Sequence, residues 1–254
     1  MIEDNFFVSI ASSSSGNCFL FKQGPSVGLI DAGISFKKIR TSMEKFSIFP
    51  EDISFILITH EHKDHTAGLK VLLKKASPKI YVPDGLLDRF TNDFPGANII
   101  PVKAREAYEC NKIRFIGFDV FHDSEVCFGY RIAMGDKTIG FAIDMGKFSF
   151  SVLKFLKNSD FLVLESNYDK KMLLLGKYPH FLKKRIISPY GHLDNDMAMS
   201  LLQTILHKGL KKVMLAHLST NNNDPEIVFK RFNDEFGDKL DIVVAKKDDV
   251  TVLF

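Results

Sequence analysis

Phe55-Ile56-Leu57-Ile58-Thr59-His60-Glu61-His62-Lys63-Asp64-His65 sets an apolar run before three imidazoles and the Asp64 carboxylate packed between positions 60 and 65. The run reads as a buried strand, and residues 66–73 beyond the cluster read as a helix. The cluster therefore stands at the C-terminal end of a strand, where α/β folds place their chemistry. Imidazole nitrogen and carboxylate oxygen are ligands of zinc and related transition ions, and alternate residues leaving a strand point the same way. His60 and His62 can thus share one metal while Asp64 and His65 face a second. A lone His is more often a satisfied core residue, but four such groups at this spacing point to metal.

Apolar runs recur on both sides. Phe6-Phe7-Val8-Ser9-Ile10 and Cys18-Phe19-Leu20-Phe21 flank Ser12-Ser13-Ser14-Ser15-Gly16-Asn17 as a hairpin with a small polar loop. Ser14, Ser15, Gly16 and Asn17 offer hydroxyls and free amides to a phosphate, while turn chemistry explains Gly16 and Asn17 equally well. Val27-Gly28-Leu29-Ile30 delivers Asp31. Strands are expected over 79–82, 113–121, 128–133, 138–143, 161–164, 213–216, 241–245 and 250–253. Helices are expected over 36–46, 83–91 and 150–156, from Asp194 with Met197, Leu201 and Ile205 on one face, and over 226–236 after Asp224-Pro225. His122, Asp144, His192 and His217 are read as further groups at strand ends.

At 254 residues, with 45% hydrophobic and 26% charged residues, the chain can bury a substantial core, and neither disorder nor a membrane class is suggested. The chain opens with acids rather than a basic region before an apolar segment, and no run approaches about 18 apolar residues. A cytoplasmic protein with no membrane partner is expected. Cys18, Cys110 and Cys127 are far apart and in no metal-knuckle spacing, so reduced, partly buried thiols are expected. A net charge of +3 permits nucleic-acid binding without demanding it. Lys170, Lys171, Lys177, Lys183, Lys184 and Arg185 form a basic segment without an acid, which a solvated helix face explains nearly as well as a phosphate-binding surface.

The chain divides softly near 147–150 into two halves, each with strands followed by helices, and no linker separates them. Two stacked sheets with helices on both outer faces would bury every strand. The expected fold class is α+β, a four-layer αββα sandwich, as a single domain over 1–254.

The His-x-His-x-Asp-His spacing resembles the signature of the metallo-β-lactamase superfamily, whose fold is that sandwich. The resemblance implies a first metal on His60, His62 and His122, a second on Asp64, His65 and His217, and a bridge through Asp144, with Asp31 orienting the metal loop from behind. Two metals about 3.5–4 Å apart can share a hydroxide and clamp both attacking and leaving oxygens. His62 stands where oxygen-reducing di-iron members carry Glu, which favours hydrolysis. Leu164-Glu165-Ser166-Asn167-Tyr168-Asp169, Tyr178-Pro179-His180, Gly191-His192-Leu193-Asp194-Asn195 and Leu215-Ala216-His217-Leu218-Ser219 further resemble the WalJ (YycJ-like) subgroup, regarded as 5′ exonucleases.

From that likeness a dinuclear-metal-dependent phosphodiesterase or exonuclease is expected, with two zinc, manganese or iron ions and nucleic acid, DNA ahead of RNA, as substrate. Asp64, Glu165 and His192 are the expected catalytic groups, His192 protonating the leaving oxygen while Glu165 orients it. Lys183 and Arg185 are expected to hold the substrate backbone. Asp194 stands where the subgroup more often has Ser, which brings negative charge near a phosphate. The alternative is a thioester or lactone hydrolase on the same metals, which needs neither His192 nor the basic segment. A metal-binding but non-catalytic module is the third reading, and the full ligand set argues against it.

Overall fold

A computed structural model describes residues 5–254; Met1 to Asp4, most of the acidic opening stretch, lie outside the described residues. The first sheet is built from β1 (Asn5–Ala11), β2 (Cys18–Gln23), β3 (Ser26–Ile30), β4 (Ile53–Leu57), β5 (Lys79–Pro83) and β6 (Asn98–Val102) in sequence order, with the C-terminal β14 (Thr251–Val252) added beside β1. The second runs from β7 (Ala107–Cys110) through β8 (Ile113–Asp119), β9 (Phe128–Met134), β10 (Lys137–Ala142), β11 (Phe161–Glu165) and β12 (Lys212–Ala216) to β13 (Asp241–Val244). Each sheet pairs antiparallel from its β14 or β7 edge through β3 or β10, then parallel to its far edge. The two sheets therefore repeat one pairing pattern.

Both faces of the central strands are buried, which is why they read as near-continuous apolar runs. Alternation sorts their residues. Phe55 and Leu57 of β4 join Phe7, Phe19, Phe21, Phe115, Tyr130 and Phe141 between the sheets, whereas Ile56 and Ile58 face the helix layer. On that outer side lie α1 (Phe36–Glu44), α3 (Leu69–Leu72) and α4 (Leu87–Asp93), contributing Ile39, Met43, Leu69, Leu72 and Phe90. The second sheet is covered by α5 (Phe150–Leu156), α8 (Asn195–Ile205) and α9 (Pro225–Phe236) through Val152, Leu156, Leu201, Ile205, Val228 and Phe232. The result is the expected four-layer αββα sandwich.

Several local expectations are corrected. Residues 66–73 are not one helix: α2 (Lys63–Thr66) and α3 are separated by Gly68, whose N–H donates to Ala32 O at 2.8 Å. A Cβ at Gly68 would lie 2.1 Å from the Ile34 carbonyl, so the chain breaks where it touches the loop after β3. The expected helix over 83–91 opens as a 3₁₀ turn and continues to Asp93. The edge strands β6 and β7 add to the expected set; their mixed exposure gives no apolar run, and Pro101 in β6 suits an edge. The sheets part between β6 and β7, not near 147–150, and β14 returns to the first sheet. All three cysteines are unpaired and buried. Among the described residues, no helix is long and apolar enough to cross a membrane.

Candidate metal centre

The ends of β3, β4, β8, β10 and β12 converge at one rim of the sandwich. Asp31, Asp144 and His217 follow their strands with φ of 59°, 55° and 57°, a left-handed turn that non-glycine residues adopt at a cost of about 1 kcal/mol or more. Strain of this kind collects at functional sites. His192, expected at a strand end, instead lies in the loop between α7 (His180–Ile187) and α8. It arrives through backbone: His192 N donates to Ile186 O at 3.0 Å.

Ligand-type atoms of His60, His62 and His122 lie within 4.8 Å of one another, as do those of Asp64, His65 and His217. Asp144 comes within the same reach of His60 and His65 on one side and of His192, His217 and Glu165 on the other. All seven residues expected as ligands are thus brought together, and Asp144 lies between the two groups.

The far nitrogens of His60, His65 and His122 are anchored, which fixes what the near ones offer. Asp31 accepts from Thr59 N and Thr59 Oγ1, both at 2.9 Å, and from His65 Nδ1 at 2.7 Å. With its proton committed to Asp31, the Thr59 hydroxyl can accept from His60 Nδ1 at 3.0 Å, leaving Nε2 of His60 as a bare lone pair. His122 Nδ1 donates to Gly191 O at 3.2 Å. The loop itself is clamped by Asn17 N to Asp64 O and Ala32 N to His65 O, each 2.8 Å. Gly33 fits beneath it so closely that a Cβ would meet Asp64 O at 1.6 Å. Thr59 and Gly33 belong to stretches that stand out in the sequence, but only their contacts disclose these tasks.

The residues fit a cation. His60 Nε2 and Asp144 Oδ2 are buried without a hydrogen-bond partner, and each such orphan costs about 1–3 kcal/mol; His217 turns its Nε2 toward Asp144 at 3.3 Å. Burial keeps His60 neutral, its pKa far below the ordinary imidazole value. Asp144 is ionised despite burial, because His217, His65 and His122 surround it. A neutral His60 imidazole beside an ionised carboxylate, with further imidazole nitrogens around them, is a donor set that a divalent transition ion takes.

Beside the cluster opens a pocket of about 270 Å³, walled by Ser14, Asp64, Asn167, Arg185, His192 and Ser219 among others. Glu165 is fully buried; one oxygen accepts from Met145 N at 2.8 Å and Leu193 N at 3.2 Å, the other contacts His192 Nδ1 at 2.7 Å. Both oxygens being engaged, Glu165 braces His192 and is not free to bind a metal. Burial opposes a charge on His192, but Glu165 overrides it and raises its pKa to about 9.

The expected substrate groups divide. Ser14 reaches the pocket, and Asn167 Nδ2 holds it at 3.2 Å while donating to His217 O at 2.7 Å. Ser15 is exposed outside the pocket, Gly16 packs on Gly33 and Ile34, and the Asn17 amide lies under His65 at 3.2 Å. Arg185 lines the pocket and pairs with Asp123, which sequence reasoning did not single out as a site residue. Lys183 donates to Leu174 O and Gly176 O, both at 2.7 Å, closing the end of α6 (Lys170–Leu175), and does not line the pocket. Lys170 pairs with Asp194 and Asp196. The charge of Asp194 is taken up there and by the cap of α8, where it accepts from Asp196 N and Met197 N.

Residues 28–218 match the family model described as a beta-lactamase superfamily domain. The chain is 34% identical over 235 residues to the exodeoxyribonuclease WalJ of Streptococcus pneumoniae, covering 89% of this chain and 87% of the relative. It is 30% identical over 224 residues to the exodeoxyribonuclease YycJ of Bacillus anthracis, covering 87% and 85%. Its fold resembles the crystal structure of the metallo-beta-lactamase fold protein YhfI from Bacillus subtilis, with a TM-score of 0.75, 18% identity and coverage of 98% and 100%.

Proposed function

We infer the function of this chain from its family: it belongs to the metallo-β-lactamase superfamily and is a metal-dependent hydrolase. The substrate we propose is nucleic acid, DNA in particular, shortened from an end by phosphodiester hydrolysis. The names of the two relatives support this. The observation that carries it is His192, a cationic proton donor braced by Glu165 in the wall of the pocket that His62, Asp64, His122, Asp144 and His217 also line. The numbers of ions and their partition are part of the proposal: His60, His62 and His122 for one, Asp64, His65 and His217 for another, Asp144 for both. The likeness of the donor sets to those of zinc, manganese and iron sites leaves that choice to metal analysis.

Divalent ions held there supply Lewis-acid charge and lower the pKa of a water. The chain's own groups do the rest. Asp64, with 26% of its side chain exposed in the pocket, orients the attacking water. Ser14 and Arg185 hold the phosphate oxygens, Arg185 sharing its guanidinium with Asp123. As the bond to the leaving 3′ oxygen breaks, His192 gives that oxygen its proton, and the Glu165 carboxylate stabilises the imidazolium until then. The products are a 5′-phosphate and a free 3′-hydroxyl, and His192 is reprotonated from solvent.

End-labelled single- and double-stranded DNA and RNA, a thioester substrate and metal analysis of the purified chain test this. DNA cleavage is expected in the wild type, with loss of activity in Asp144→Ala and retained metals with lost cleavage in His192→Ala. Undiminished cleavage by Asp144→Ala would sink the two-metal reading. Turnover of the thioester alone, indifferent to His192, would replace nuclease with small-molecule hydrolase.

A further inference from the structure

A second groove lies one residue from the pocket. His122 and Asp123 face the pocket, while Phe121, immediately before them, lines a cavity of about 510 Å³ on the other side. Gly146 N donates to Phe121 O at 2.8 Å, which ties this edge of the groove to the loop that carries Asp144. The groove is edged by Phe150 and Lys154 of α5, Arg105 and Asp119, and by Ser151, whose buried hydroxyl has no protein partner.

Phe155 in its lining belongs to the core, but two rings beside it do not. Phe150 is 82% exposed and Tyr190, which packs on the groove-lining Phe121, 51%. Tyr190 meets Phe121 edge-on at 6.0 Å, and Lys147 Nζ sits 4.1 Å from the Phe121 centroid and 5.9 Å from that of Tyr190. Two cations of the lining, Arg105 and Lys154, joined by Lys147 over the Phe121 ring, stand against the lining's single acid, Asp119, 3.2 Å from Arg105. Exposed rings interleaved with cations along a groove are what an unpaired strand requires, since bases stack on rings and phosphates pair with the cations. A scattered surface Phe needs no explanation, but this one shares a groove with positive charge and opens beside the candidate catalytic pocket.

We propose that this groove holds the unpaired, uncleaved part of a DNA strand whose end occupies the pocket, with Phe150 and Tyr190 as base-stacking platforms and Lys147 and Lys154 as phosphate contacts. The identity of the strand rests on the nuclease reading above. Stacking accepts any base, so the groove holds DNA without regard to sequence, and it excludes a duplex, whose base faces are already covered.

The test uses the metal-loaded full chain and a fluorescent single-stranded phosphorothioate oligodeoxynucleotide of about 12 nucleotides, which resists cleavage and spans pocket and groove. By anisotropy, Phe150→Ala and Lys154→Glu are each expected to weaken binding about tenfold, within the range for loss of one stacked base or one phosphate contact. Binding of a blunt duplex of the same length is expected to be equal in wild type and Phe150→Ala. Hydrolysis of bis(p-nitrophenyl) phosphate, too small to reach the groove, reports on the pocket and is expected to keep its kcat in both variants. Unchanged single-strand binding in both variants, equal losses on duplex and single strand in Phe150→Ala, or a parallel loss on the small ester would each overturn the groove. Groove-dependent binding without cleavage of unmodified DNA would overturn the nuclease reading and leave the groove standing; cleavage with groove-independent binding would do the reverse.

Discussion

Thr59 contacts no pocket, yet its hydroxyl decides which nitrogen His60 presents, by giving its proton to Asp31 and accepting from Nδ1. Thr59→Val keeps the shape and removes that choice. Metal affinity, measured by competition with a chromogenic chelator, is expected to fall about 10–100-fold with the fold intact. Glu165 acts on His192 in the same indirect way. Below about 9 His192 holds its proton, and as pH rises through that value the proton is lost. A proton donor with a pKa raised in this manner gives activity that declines on the basic side. Glu165→Gln removes the negative charge that opposes this loss, so the basic limb is expected to move toward the ordinary imidazole value of about 6.5 while kcat falls about 10²-fold. A pH profile that keeps its basic limb in place would show Glu165 to be only a structural brace. Arg185→Ala is expected to raise KM for DNA about tenfold with little change in kcat, since phosphate contacts hold the strand rather than react with it.

At the scale of elements, the site depends on how loops after parallel strands lie on one another. The turn after β3 supports the metal loop after β4 through Ala32, Gly33 and Gly68, with no side chain between the backbones. Gly33→Ala places a methyl where the Asp64 carbonyl stands. The expected outcome is a chain with native far-ultraviolet circular dichroism that binds metal much more weakly, because Asp64 and His65 are displaced together. Equal metal content in variant and wild type would show that the loop has room to give. The same scale explains why the basic segment at 170–185 is only in part a binding surface. Lys183 is committed to the end of α6 and Lys170 to the start of α8, leaving Arg185 in the pocket.

For the whole molecule, the layer of rings between the sheets carries much of the stability. Phe55 is fully buried there, edge-on to Phe21 and Tyr81 and stacked on Phe115. Phe55→Ala is expected to cost about 3–5 kcal/mol in urea unfolding, from lost burial and the cavity left behind. Binding at a centre assembled from both sheets stabilises the folded chain alone, so chelation is expected to lower Tm and re-addition of the metal to restore it. A Tm indifferent to chelator would show that the His and Asp cluster holds no ion in solution.

The sequence by itself determined the fold class and the metal-type residues, because both are written in local pattern. Apolar runs that are buried on both faces announce central strands, and His60 to His65 announces a ligand loop through spacing alone. Edge strands β6 and β7 carry no such run and were invisible, as was the break at Gly68, whose cause is a contact with Ala32 and Ile34 from another part of the chain. Resemblance supplied the partition of ligands and the pairing of Glu165 with His192. Only the tertiary structure decided which polar residues face the pocket, that Ser14, Arg185, Asp123 and Asn167 do while Lys183 and Asn17 do not, and that Phe121 turns toward a second groove. The reason is physical: spacing dictates which way neighbours on one strand point, whereas the facing of a loop side chain depends on hydrogen bonds and packing with residues distant in the chain.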